Sequence, residues 1–348
     1  MNTTTKTKTL DFMRNNALYF VLLVLLAVII YKDSSFLSMR NFSNILTQSS
    51  VLIILSLGVA SLIVTQGTDL SVGRMVGLSA VVSASLLQSP DNVNRVYESL
   101  SSISPWLLIP MAIAVILIIG MIFGFLNGVV VTYLNVTPFI ATLGMMLVLY
   151  GINSLYFDKI GAQPVAGLNE SFLNLSQGSF KIPLPEFISS KSFKLSYLAI
   201  YASIAVVFVW VMWNKTRFGK NLFAIGGNPE AARVSGVNVT KNLLVIYTIA
   251  GAFYAFGGFL EAGRVGSATN NLGFMYELDA IAACVIGGVS FTGGVGRVSG
   301  VVMGVVIFTI INYGLTYINV NPNWQYVIKG SIIVLAVAID SLKYAKKK

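Results

Sequence analysis

The chain of 348 residues contains no histidine and a single cysteine, Cys284. Without histidine it lacks the commonest protein metal ligand and the usual general base. One cysteine excludes an internal disulfide framework. Charge is scarce too: Asp, Glu, Lys and Arg make up 10% of residues, against roughly a quarter in a soluble domain. No hydrophilic block is long enough for a second domain. Instead, 55% of residues are hydrophobic, and long apolar runs recur from residue 17 onward. The implied fold class is an all-α polytopic membrane protein.

Ten apolar segments approach the roughly 20 residues that a helix needs to cross a bilayer. They are 17–31, 45–66, 72–88, 106–131, 138–156, 195–213, 243–263, 276–290, 299–317 and 324–340. Segments 72–88 and 276–290 are short and rich in Gly, Ser and Ala, which predicts tilted or partly unwound helices. Residues 1–16 followed by ALYFVLLVLLAVIIY look like a signal peptide. No small-residue cleavage pattern follows, so this reads as an N-terminal tail and an uncleaved first helix. The domain layout is a tail (1–16), one transmembrane domain (17–340) and a basic tail (341–348).

A formal charge of +10 invites a nucleic-acid reading, but Lys and Arg accumulate in the cytoplasmic loops of any membrane protein. With the N-terminus inside, fourteen of the 23 Lys and Arg fall on the inner side, eight on the outer side, and Lys329 within the last span. Half of the outer eight sit in one long loop, 157–194. The bias places both termini in the cytoplasm.

YLNVTP (133–138) and YINVNP (317–322) match at four of six positions, and the same offset pairs Gly120 with Gly304. More faintly, Thr68-Asp69-Leu70 echoes Asn270-Asn271-Leu272. The two NV-x-P stretches lie five spans apart, an odd number, so the expected halves are inverted repeats with a path at their interface. Rows of glycine four apart (73/77, 120/124/128, 300/304) let helices approach closely, and packing within the chain is favoured over a dimer seam.

The longest inner loop, 214–242, carries a helix written by rule. Asn228 can cap free N–H groups, Pro229 suits the first helical position, Glu230 favours the positive end of the dipole, and Gly236 stops the helix. Between them lie Ala231, Ala232, Arg233, Val234 and Ser235. Two turns are too short to stand alone. Such a helix either docks into another protein's groove or lies passively at the interface.

Asp69 follows an uncharged run, VLIILSLGVASLIV (51–64), inside a Gly/Thr/Ser-rich break. A carboxylate at a bilayer centre costs about 2.5–3.5 kcal/mol on insertion scales. The layout puts Asp69 at the inner end of the second span, where it can cap the N–H groups of the third, with Asn271 as its counterpart. Asp69, Thr142, Asn153, Asn270, Asn271 and Asn312 are the polar groups at membrane depth that could line a path, or could simply satisfy backbone. Glu261 and Arg264 can pair at i, i+3. Glu277 and Asp279 suit the start of the eighth span as dipole partners, or could meet an outer partner protein. Lys329 can snorkel, and Cys284 reads as a small apolar core residue.

FGKNLFAIGGNPEAARVSGVNV (218–239) closely resembles the cytoplasmic coupling-helix signature of permeases from bacterial ABC sugar importers of the ribose/galactose class. TQGTDLSVGR (65–74), NVTPFIATLG (135–144) and GFMYELDAIAACVIGGVSFTGGVG (273–296) resemble that family as well. The resemblance implies a ten-span fold like that of type II importers, in the bacterial inner membrane. It implies two copies of the chain forming the channel, with residues 228–236 docking a separate ABC ATPase subunit. It also implies a periplasmic galactose/glucose-binding protein that delivers a monosaccharide such as galactose or a methyl galactoside.

No G-x-x-x-x-G-K-[ST] occurs in the chain, so no cofactor is expected on it and ATP is expected on the partner. A rival class is a proton-coupled secondary transporter in which Asp69, Glu261 or Asp279 titrates. Against it, a dedicated basic loop with a capped helix has no use when no ATPase binds. A membrane-embedded enzyme has little support, since there is no His, no Cys pair and no carboxylate cluster at metal-ligand spacing.

Overall fold

The computed structural model describes residues 17–183 and 193–345; the tail 1–16 and the last three residues of the basic tail lie outside them. Helices α1 (Ala17–Lys32), α2 (Met39–Ile63), α3 (Val72–Leu86), α4 (Pro105–Thr132) and α5 (Pro138–Lys159) come first. A short α6 (Glu170–Gln177) and an antiparallel hairpin, β1 (Ser179–Ile182) with β2 (Phe193–Ser196), interrupt them. Then follow α7 (Tyr197–Lys215), α8 (Arg217–Gly227), α9 (Pro229–Val234), α10 (Val239–Val265), α11 (Tyr276–Ile286), α12 (Val298–Tyr317) and α13 (Pro322–Ala345).

Each expected apolar segment became a helix, with ends shifted by a few residues. Among the described residues, α2, α4, α5, α7, α10 and α12 are long and apolar enough to cross a membrane, while Leu22–Lys32 and α3 are shorter apolar helices. The segment expected over 276–290 is helical for only 11 residues, about 16 Å of rise against a hydrocarbon core near 30 Å. Gly288 stops it in the left-handed region at φ +80°.

The core forms around α2 and α10. Every residue of α2 from Ser49 to Ile63 except Leu52 is buried, as expected of a helix apolar all round. Helix α10 packs most extensively against α4, and further against α3 and α2. The α4 contact explains the row of glycines there: a Cβ on Gly120 would strike the Gly251 carbonyl, and one on Gly124 the Tyr247 carbonyl. Gly73 and Gly77 face the 270–273 segment, and Gly300 and Gly304 face α11. All three rows are used in packing within the chain.

The two NV-x-P stretches adopt the same local shape. Asn135 (φ +53°) and Asn319 (φ +57°) are both left-handed, and both lead to a helix that starts on proline. The described residues of the loop 157–194 include helix α6 and the strands of the hairpin. Helix α6 packs Phe172 against Phe259 of α10, with ring centroids 4.8 Å apart, and Gln177 Nε2 donates to the Gly263 carbonyl at 2.9 Å.

Candidate functional site

Helix α9 is built as its residues dictate. The Asn228 side chain accepts from the N–H groups of Glu230 and Ala231, both at 3.0 Å, and Pro229 takes the first helical position. At the other end Gly236 is left-handed (φ +84°). Its N–H bonds the Arg233 carbonyl while Val237 N–H bonds the Ala232 carbonyl, each at 3.0 Å. That is the glycine C-terminal motif with both of its backbone bonds made.

One side of α9 is anchored and the other is free. Ala232 is buried against Ile225 and Val239, whereas Val234 is 89% exposed. Glu230 and Arg233 pair at 3.3 Å in solvent, which contributes little stability. Ala231 and Ser235 are also exposed. Beside them a groove of about 480 Å³ runs between α8 and the start of α10, lined by Phe218, Asn221, Asn238 and Lys241. The solvent side of α9 thus carries Val234 and one Glu–Arg pair beside an open groove.

Helix α8 was not expected from the sequence. Thr216 caps it by accepting from Gly219 N–H at 3.0 Å, and Leu222 and Ile225 form its buried face. The signal was present in Phe218, Leu222 and Ile225 at i, i+4 and i+7, but three glycines in eleven residues obscured it.

The end of α8 is clamped into the core. Gln66, left-handed at φ +65°, donates its side-chain amide to the carbonyls of Gly226 (2.8 Å) and Thr292 (3.1 Å). Gly294 N–H donates to the Val64 carbonyl at 2.8 Å. Three backbone segments therefore meet at one point: the end of α8, the break after α2, and the loop 287–297. Asp69 lies three residues beyond Gln66.

Asp69 is 1% exposed. Its Oδ1 accepts from Ser71 N–H at 2.8 Å and Ser71 Oγ at 2.6 Å. Ser71 is the residue before α3, so Asp69 shapes the turn into the helix rather than capping the helix itself. The start of α3 has no side-chain cap, and the Glu277 carboxylate lies against Gly73. Ser71 Oγ also accepts from Asn127 Nδ2 at 3.1 Å. The counterpart expected at Asn271 is not formed, because its amide oxygen faces Arg74 Nη1 at 3.4 Å.

Asp69→Asn should keep the Oδ1 acceptor and transport near the parental rate. Asp69→Ala strands a buried N–H and a hydroxyl, at roughly 1–3 kcal/mol each. It should lose most uptake and melt earlier. Equal losses in both variants, measured side by side, would show instead that the charge is what matters.

The remaining expected path residues separate into groups. Thr142 Oγ1 accepts from Leu70 N–H at 3.1 Å, which places it beside Asp69. Asn153 Nδ2 donates to the Asn270 carbonyl at 3.1 Å, and Gly77 of α3 lies against both. Asn312 sits apart, in a cavity between α2, α10, α11 and α12.

Glu261 and Arg264 form the expected pair with two bonds, 2.8 and 2.6 Å, and Tyr276 Oη donates to Glu261 at 2.6 Å. Lys329 does not snorkel; its Nζ sits 3.1 Å from both oxygens of Asp279, a partner 50 residues away. Cys284 is buried with its thiol toward the Ser56 carbonyl. Among the described residues no group of three His, Cys, Asp or Glu side chains is placed to hold a metal ion.

Among the described residues, six helices long and apolar enough to cross a membrane define a polytopic helical membrane protein, and the family places it among transport permeases. The chain belongs to the family described as branched-chain amino acid transport system / permease component, whose model matches residues 41–337. It is 64% identical to the galactose/methyl galactoside import permease protein of Haemophilus influenzae, over 348 residues and all of both chains. The protein of the same name from Escherichia coli K12 is 63% identical, again over all of both chains. The ribose import permease protein of Escherichia coli K12 is 35% identical across 92% of each chain. No solved structure matches it.

Proposed function

We infer that the chain is the permease subunit of an ATP-driven importer that carries galactose and methyl galactosides from periplasm to cytoplasm. The observation that carries this is the end-to-end identity of 63–64% with permeases named for that sugar, nearly twice that with the ribose permease. Those relatives are named as import permeases, not as enzymes.

The finer reading adds α1, α3, α11 and α13 to the six long helices, giving ten spans in one domain over 17–340, with both termini cytoplasmic in a bacterial inner membrane. The matching left-handed asparagines before Pro138 and Pro322 support inverted repeats. Two copies of the chain would form the channel, and a periplasmic galactose/glucose-binding protein would deliver sugar. Residues 228–236 would dock the ATPase, which binds the ATP; this chain would carry no cofactor. Movement of α9 would pass through Gly226 to Val64 and Gln66, and so to the turn at Asp69 and the start of α3. Asp69, Thr142, Asn153, Asn270 and Asn271, gathered around α3, and Asn312 in its separate cavity would border the path.

The end-to-end identity with proteins named as import permeases, within a family described as a transport-system permease component, supports the ATP-driven reading over a proton-coupled carrier.

The test is reconstitution in liposomes with the ATPase and the binding protein. Galactose uptake should require ATP and ignore a pH gradient. Glu230→Lys, which reverses a charge at the positive end of α9, should cut uptake at least tenfold while ATP hydrolysis continues. Gly236→Pro, which removes the donor of the C-terminal motif, should do the same. Uptake driven by a pH gradient without ATP would sink the proposal.

A further inference from the structure

The single charged residue of α3, Arg74, lies deeper in the bilayer than the linear charge layout put it. Its guanidinium stacks over the ring of Tyr150, 4.5 Å from the centroid, and lies 5.3 Å from the centroid of Phe274. Tyr150 stands twelve residues after Pro138 and nine before Lys159, the two ends of α5. At a helical rise of 1.5 Å per residue, that is about 18 Å from one end and about 14 Å from the other. The contact therefore falls inside a hydrocarbon core about 30 Å thick, and not at the inner surface.

The backbone beside Arg74 is irregular at the same depth. Residues 270–275, between α10 and α11, form turns, with Gly273 and Met275 both left-handed. Helix α3 holds them at this level: Gly73 lies against the Gly273 carbonyl, and Gly77 against that of Leu272. Asn271 is exposed, and its amide oxygen accepts from Arg74 Nη1 at 3.4 Å. Among the described residues the guanidinium makes that one hydrogen bond, so most of its five donors are unused.

A guanidinium and a stretch of non-helical backbone share one requirement at this depth. Charges within a membrane face a bundle interior or a water-filled space, and irregular backbone is buried in protein or lines water. Asn271 and Phe274 are both exposed on this chain, so this face borders water rather than lipid. The patch also has the chemistry to hold a solute. Tyr150 and Phe274 keep 42% and 44% of their surface, enough to cover the C–H face of a small ring. The guanidinium and the Asn271 amide offer donors and an acceptor for hydroxyls. Glu277, against Gly73, sets a carboxylate beside the residue next to Arg74, which disfavours a free anion. A neutral monosaccharide matches all three features.

We propose that Arg74, Tyr150 and Phe274 form a sugar-contact station partway along a water-filled path, where Arg74 orients the sugar through its hydroxyls while the rings take its apolar face. The proposal rests on the sugar-import reading.

Two measurements on the complete transporter in proteoliposomes test it. Arg74→Met should cut maximal galactose uptake about tenfold, and Arg74→Lys, which keeps the charge but not the planar fork, about threefold. Tyr150→Phe should stay within twofold of the parent, while Tyr150→Leu, which removes the ring, should fall about fivefold. The binding-protein concentration giving half-maximal uptake and the melting temperature should stay at parental values in all four. Separately, Asn271→Cys should be labelled by a charged methanethiosulfonate during ATP-driven uptake, since native Cys284 is fully buried. Parental uptake by Arg74→Met, or equal uptake by Tyr150→Phe and Tyr150→Leu, would overturn the station. So would a loss of uptake matched by a loss of melting temperature, which would make Arg74 a structural residue. Labelling of Asn271→Cys by a lipid-soluble maleimide alone would show a lipid-facing surface, and its cross-linking to a second copy without charged labelling a subunit contact; either would overturn it too. If the parent complex imports no galactose, the import reading falls, while the labelling still decides whether this face borders water.

Discussion

Gly226→Val should abolish ATP-driven uptake, while Gly227→Ala, one residue along, should leave it intact. The contrast comes from what surrounds two adjacent glycines at the end of α8. A Cβ on Gly226 would fall on the Val64 carbonyl and beside the Gly294 N–H, the two groups that bond each other at 2.8 Å. A Cβ on Gly227 would meet nothing within 4 Å. All the atoms in the way at Gly226 are backbone, so no rotamer change relieves the clash. Either the end of α8 moves or the bond between the α2 break and the loop 287–297 opens. Overpacking of this kind costs about 1–3 kcal/mol or more in a rigid core. Here the loss is spent at the joint through which α9 would move Gln66 and Asp69. The purified variant should still insert and still bind the ATPase, because the outer face of α9 is untouched. Its ATP hydrolysis should no longer respond to the loaded binding protein. Gly226→Val retaining more than half of parental uptake would remove this joint from the mechanism.

That joint also shows where sequence reading stops. The elements around it were legible, because their signals are local: apolar run length for α2, α4, α5 and α10, an N-terminal proline for α9, Asn228 and Gly236 as caps. Helix α8 was hidden because glycine lowers the helical signal in sequence, while the close approach at Gly226 that requires glycine is set by Val64, 162 positions away. The same holds for the site residues. Asp69 was singled out from its own surroundings, and its bonding to Ser71 follows from a spacing of two. That Glu277 lies against Gly73, or that Lys329 finds Asp279, follows from tertiary approach alone and leaves no spacing to read. The i, i+3 pair of Glu261 and Arg264 was readable for the opposite reason. Its burial was not.

Burial turns that pair into the largest single stability term to test. Glu261 is 1% exposed, and it accepts from Arg264 twice and from Tyr276 once. Glu261→Leu keeps the volume roughly constant but leaves a guanidinium and a phenol facing an alkyl chain. Removing one partner of a buried pair costs about 3–5 kcal/mol. Arg264 keeps 28% of its side-chain surface, so water recovers part of that, and the lower end of the range is expected. For a chain of this size such a loss lowers the melting temperature by about 5 °C or more, measured on the detergent-solubilised permease. Glu261→Gln retains two polar atoms in the same place and should lose less than half as much. The decisive comparison is the double variant Glu261→Leu/Arg264→Met. If the pair is held by mutual neutralisation, removing both charges should recover much of the melting temperature lost by Glu261→Leu alone, because no charge is then stranded. A double variant less stable than either single one would mean that each side chain has independent partners. The geometry argues against that for Glu261, whose two oxygens are already taken by Arg264 and Tyr276.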